Sequence, residues 1–122
     1  MKGIKKMIIK ATNVSKIVEN PPMGGSGILH LEKLNGFTPD CEALRTFAVA
    51  TLEPGSEVGF HLHEGEMESY YIISGKALYN DNGTLVELAA GDVTYTPSGE
   101  SHGIKNMSDS ESLVFIALII KN

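Results

Sequence analysis

A single cysteine in 122 residues, Cys41, excludes any disulfide within the chain, so nothing in this sequence calls for an oxidising compartment. Basic residues are scarce. Ten Lys and Arg against 15 Asp and Glu give a formal charge of -5, and the one basic cluster, Lys2, Lys5 and Lys6, is too small for a nucleic-acid footprint. The same balance argues against an anionic membrane surface. The longest apolar run, Leu113 to Ile120, has eight residues, far short of the roughly 20 a membrane-spanning helix needs. Met7-Ile8-Ile9 before Lys10 is likewise too brief for the apolar segment of a signal peptide, so a cytoplasmic protein is expected. No Ser or Cys is tied to a His by a recognisable motif, which disfavours nucleophilic catalysis. No stretch of ten residues carries a helical period.

What is present is a series of short β-prone runs separated by turn residues. After Pro21-Pro22 stops the first pieces and Gly24-Gly25-Ser26-Gly27 makes a flexible turn, Gly27 to Leu34 reads as a strand containing His30, taken as structural. Thr38 to Ala43 reads as one helical turn, and Arg45 to Leu52 as a strand that Glu53-Pro54-Gly55-Ser56 closes into a hairpin with the next. Asn82-Gly83, between KALYN and TLVEL, is the strongest hairpin signal. The spacing predicts an all-β sandwich or closed barrel in a single domain over residues 1–122, with residues 1–30 an arm with edge strands and 45–120 the barrel. Leu113 to Ile120 is apolar on both alternating faces, so it reads as a strand buried on both sides. The apolar outer face implied by this strand, with Phe60, Leu62, Tyr71 and Ile73, needs a cover, and a homodimer is expected to supply it.

Chemistry concentrates in residues 55–75. His61 and His63, two apart on a strand, project from one face and can share an ion. Glu68 follows past a turn of Glu64 to Met67, as if a hairpin returned a carboxylate beside the imidazoles, and His102 opens a later strand after the Pro97 to Ser101 loop. Three nitrogens with one carboxylate oxygen suit a divalent transition metal such as Mn, Fe, Co, Ni or Zn. Four protein ligands leave two positions of an octahedral ion for water or substrate. Glu64 and Glu66, in the turn, read as solvated.

The first stretch, with Gly55, His61, His63, Glu68 and Gly75, and the second, with Gly91, Pro97, Gly99, His102 and Asn106, match in full the spacing of the two motifs of the cupin superfamily. The chain resembles its small single-domain members. That resemblance implies a double-stranded β-helix, or jelly-roll barrel, with His61, His63, Glu68 and His102 as metal ligands and Asn106 in a structural role. It also implies dioxygenase, decarboxylase, isomerase or lyase chemistry on a small oxygenated or carboxylated substrate, so a metal-dependent enzyme is favoured. The alternative is a non-enzymatic module that binds a sugar or an organic acid. Alternation from Glu68 places Tyr70, Ile72 and Ser74 inward, and alternation from His102 adds Ile104. Three residues are candidates for catalysis, each with an ordinary role open beside it. Tyr70 is a donor to a bound oxyanion or a structural phenol, Glu100 a general acid or base or a solvated loop residue, and Arg45 a carboxylate clamp or a surface ion pair.

Overall fold

The computed structural model describes residues 8–35 and 41–122. Among them ten strands run in chain order: β1 (Ser15–Glu19), β2 (Leu29–Lys33), β3 (Leu44–Leu52), β4 (Glu57–Leu62), β5 (Glu66–Ser74), β6 (Lys76–Asp81), β7 (Thr84–Ala89), β8 (Val93–Thr96), β9 (Ser101–Asn106) and β10 (Leu113–Lys121). They form a six-stranded sheet, β1-β2-β3-β10-β5-β8, and a four-stranded sheet, β4-β9-β6-β7, antiparallel throughout. This is the jelly-roll arrangement of a double-stranded β-helix.

Period-two alternation builds the core. Ala48, Ala50 and Leu52 of β3, Tyr70 and Ile72 of β5, and Leu113, Phe115 and Ala117 of β10 point inward from one sheet. Val58, Ala77, Tyr79 and Ile104 meet them from the other. Full burial of a side chain such as Phe115 contributes about 2 to 3 kcal/mol. Asn82 and Gly83, both with positive φ, make the tight β6–β7 turn that their dipeptide signals. Gly75 combines a φ of 97° with a close approach, since a Cβ there would lie 3.0 Å from the Leu113 Cα.

Several expectations are corrected by how the strands pair. β3 and β4 do not form a hairpin: β3 pairs with β2 and β10, while β4 pairs with β9 in the opposite sheet. β4 and β5 likewise lie in different sheets, so Glu68 reaches the imidazoles across the sandwich. A turn signal says that the chain reverses and not which sheet it rejoins. Ser74 is exposed, because the β5–β10 register slips between Val114 and Phe115, passes over Ile73 and ends the alternation. Within the Gly24 to Gly27 segment, Gly25 and Gly27 lie close against β4 and the residue before it. A Cβ on Gly25 would fall 1.9 Å from the Glu57 carbonyl oxygen, one on Gly59 would fall 2.2 Å from that of Met23, and Ser26 bridges to Glu57. The strand β10 is buried on its inner face, but Val114, Ile116 and Leu118 on its outer face are half-buried. Half of the expected helical turn at 38–43 lies outside the described residues, which show a turn at Glu42 and Ala43.

Candidate metal centre

Two register slips set the site. Between β4 and β9, Val58 pairs with Ile104 and His61 with His102, so β4 passes three residues where β9 passes two. This bulge at Gly59 and Phe60 lets both Val58 and His61 face inward despite their odd separation. It also places the Gly59 carbonyl 2.6 Å from His61 Nδ1, which donates to it. His63 lies one residue past β4, where its N–H donates to the Glu100 carbonyl at 3.0 Å and its carbonyl accepts from Gly99 N at 2.7 Å. Between β3 and β10, Ile119 pairs with Thr46 and Ile120 with Leu44, leaving Arg45 as the extra residue of a bulge. Arg45 and Thr46 consequently both line the cavity.

Inside, His61, His63, Glu68 and His102 converge, with one ligand atom from each lying within 4.8 Å of the others. Nε2 of His63 is 3.1 Å from Nε2 of His61 and 3.0 Å from Nε2 of His102, and Glu68 Oε1 is 2.9 Å from both His63 and His102. The opposite nitrogen of each ring is engaged. His63 Nδ1 donates to Glu66 Oε2 at 2.7 Å. His102 Nδ1 meets the Tyr79 hydroxyl at 2.8 Å and Thr96 Oγ1 at 3.0 Å. A carbonyl and a carboxylate only accept, so the single N–H of neutral His61 and of neutral His63 is spent at Nδ1. In that state their Nε2 lone pairs face each other at 3.1 Å with a carboxylate nearby, which repels unless a proton or a metal ion stands between.

The spacing fits ligands around one ion. Ligands at about 2.1 Å lie about 3.0 Å apart when adjacent in an octahedron and about 3.4 Å apart in a tetrahedron. Separations of 2.9 to 3.1 Å match the octahedral value. The cluster is therefore compatible with a divalent metal ion.

Protonation shifts carry the same tension. Burial lowers the His61 pKa, and His102 and His63 lower it further, against the Gly59 carbonyl. His63 is raised by its hydrogen bond to Glu68, with Glu66 adding to this against burial. Burial alone would raise Glu68, yet hydrogen bonds with His102 and His63 outweigh it and hold the carboxyl below its usual range. Two imidazoles a hydrogen bond apart thus shift in opposite directions, as expected where one positive charge is shared among crowded bases.

Glu66 had read as a solvated turn residue. It is 6% exposed and joins His63 Nδ1 to the guanidinium of Arg45, a carboxylate that fixes an imidazole's tautomer and ring orientation. Counting back by two from Glu68 along β5 would have found it on the inner face. Tyr79 also escaped the sequence reading, because its face depends on β6 lying beside β9. Tyr70 stacks on the His102 ring at 5.0 Å and engages Glu68, and burial pushes its phenol well above the ordinary value. Glu64 lines the cavity, whereas Glu100 meets the site through its main chain and its side chain is not among the lining groups. His30 stands apart, paired with Glu53 at 2.7 Å on the surface.

The cavity that opens onto these groups has a volume of about 470 Å³. Half-exposed Met23, Leu62 and Arg45 mark its mouth.

Comparison with known proteins places this geometry. A family model described as a cupin domain matches residues 48–119. The chain is 39% identical over 120 residues to an oxalate-binding protein of Thermotoga maritima, covering 98% of both. It is 37% identical over 76 residues to oxalate decarboxylase OxdC of Bacillus subtilis, covering 58% of this chain and 20% of that longer protein. Among solved structures, that of a predicted oxalate decarboxylase from Thermotoga maritima superposes with a TM-score of 0.87 at 39% identity, covering 95% of this chain and 100% of that one.

Proposed function

The chain belongs to the cupin family, and from that premise we propose that it holds a divalent transition metal through His61, His63, Glu68 and His102 and captures a small carboxylate, oxalate among them, at the metal. One observation carries this reading: Nε2 of three imidazoles and a Glu68 oxygen converge on one point, while Nδ1 of each ring is turned outward to a partner of its own. A bound divalent ion would act as a Lewis acid toward carboxylate oxygens. The chain's own groups prepare the ligand set. The Gly59 carbonyl and Glu66 hold His61 and His63 with Nε2 inward. Tyr79 and Thr96 do so for His102. Arg45 balances Glu66, and Tyr70 supports Glu68 and lines the cavity. Elemental analysis after mild purification, followed by calorimetric titration of oxalate into Mn(II)-loaded protein, tests the reading. About one ion per chain and metal-dependent binding are expected; a protein that neither retains nor takes up Mn, Fe, Ni or Zn sinks it.

Capture without turnover is favoured over catalysis because the acid–base groups beside the ligands are committed elsewhere. Glu66 is held by Arg45 and His63, and the Tyr70 phenol is engaged by Glu68. The similarity to an oxalate-binding protein over 98% of both chains supports the same choice. A decarboxylating enzyme is the second reading, supported by Glu64, a carboxylate at the cavity mouth, and by the likeness to OxdC. Release of carbon dioxide and formate from oxalate by Mn(II)-loaded protein, lost in Glu64→Gln, would establish it over simple capture.

We also propose that a second copy covers the outer face of the six-stranded sheet. Cross-strand neighbours Phe47 and Leu118, Val49 and Ile116, Ile116 and Tyr71, and Tyr71 and Val93 make a continuous apolar surface there. Light scattering should give twice the chain mass at micromolar concentration, and Ile116→Asp should halve it.

A further inference from the structure

The space beside the imidazoles is far larger than a chelating head group requires. About 470 Å³ is the share of roughly 16 water molecules, whereas an ion the size of oxalate displaces only a few. Interiors otherwise close-pack, so a void of this size within a sandwich is a shaped feature. One side of its wall is apolar, formed by Leu29, Leu31, Val58, Phe115, Ala117 and Ile119, while the ligand cluster and the carboxylates of Glu19 and Glu64 make the other.

Charge points the same way. A divalent ion with the Glu68 carboxylate retains one positive charge. Arg45, the one Lys or Arg among the described lining residues, is already balanced by Glu66, while Glu19 and Glu64 add negative charge. A monoanion at the metal therefore leaves the centre neutral, whereas a dianion such as oxalate, which the site still admits, adds a negative charge beside Glu19 and Glu64 and binds less favourably. Resting on the reading that the site binds a metal ion and a carboxylate, we infer that its preferred ligand is a 2-oxo monocarboxylic acid with an apolar side chain of four or more carbons. The carboxylate and the adjacent oxo oxygen offer the two-oxygen grip that oxalate offers. The side chain lies along Leu31, Phe115 and Ile119.

The experiment titrates Mn(II)-loaded full-length protein with oxalate, pyruvate, 4-methyl-2-oxopentanoate and phenylpyruvate by calorimetry. Methyl NMR on Zn(II)-loaded protein follows the wall directly. Each buried methylene strengthens binding by about fourfold, so the two larger acids should bind at least tenfold more tightly than pyruvate and shift the Leu31 and Ile119 methyl signals. Leu31→Ala, at a partly buried position, should erase most of that advantage, weakening the two larger acids far more than pyruvate. Ile119→Asn should do the same more severely. Oxalate binding more tightly than both larger acids, no gain from the larger side chain over pyruvate, or a gain that Leu31→Ala leaves intact, overturns the inference alone. Failure of all four acids to bind the metal-loaded protein overturns the carboxylate reading beneath it.

Discussion

Two fully buried polar side chains sit on β9, four residues apart, and they live under opposite conditions. Asn106, 1% exposed, donates from Nδ2 to the carbonyls of Leu52 at 3.0 Å and Glu111 at 2.8 Å, and accepts from Ser108 N at 2.9 Å. Each contact is donor to acceptor. His102, 0% exposed, has Nδ1 satisfied by Tyr79 and Thr96 but directs Nε2 at Nε2 of His63 and at a carboxylate. A buried polar group matched by its neighbours secures the fold, whereas one that shares a single point with two other imidazoles and a carboxylate belongs to a set able to hold a cation. The difference lies in the partners and not in burial, which is the same for both.

His102→Ala should affect metal binding most. Metal affinity should fall more than a hundredfold by competition titration, while the metal-free protein keeps its strand signature in circular dichroism. Retained stoichiometric metal in this variant and in His63→Ala would remove the contrast altogether. Asn106→Ala should do the reverse. Leaving the Leu52 and Glu111 carbonyls unpaired costs about 2 to 4 kcal/mol, a drop in melting temperature of roughly 10 °C or more, with metal stoichiometry preserved in the folded fraction.

Smaller effects sharpen the comparison one step away from the ligands. Glu66→Gln should weaken metal binding about 10- to 100-fold, because the amide no longer anchors the His63 ring as an anion does. Unchanged affinity would mean that the His63 ring is oriented by packing alone. Acidity gives a gentler probe. In metal-free protein the raised His63 pKa contributes stability that is complete below the ordinary histidine value, near about 6.5, and is lost as pH rises through the folded value. The depressed Glu68 pKa contributes above the ordinary carboxylate range and is lost as pH falls through its folded value. Metal binding needs unprotonated imidazoles, so it strengthens with pH. The melting-temperature gap between metal-loaded and metal-free protein should therefore widen from pH 5.5 to 7.5, and a constant gap would count against metal binding by these rings. Tyr79→Phe should be mildest, lowering metal affinity severalfold, since Thr96 still meets His102 Nδ1.

Much of the chain was legible before any coordinate. Strand alternation and the Asn82-Gly83 turn were written in the residues, and so was the spacing of His61, His63, Glu68 and His102, because each rests on contacts or geometry within a few neighbours. Glu66 was misread because it was assigned to a turn, when β5 begins with it.

What tertiary structure alone decided is which strands became neighbours. That choice carried β4 and β5 into opposite sheets, set Tyr79 behind His102, turned Arg45 toward the cavity at a bulge and left an apolar hollow beside the imidazoles. The local pattern settles which face of a strand is apolar, since side chains alternate by covalent geometry. Sheet order and register depend on free energy summed over partners distant in sequence, and no single stretch contains that sum.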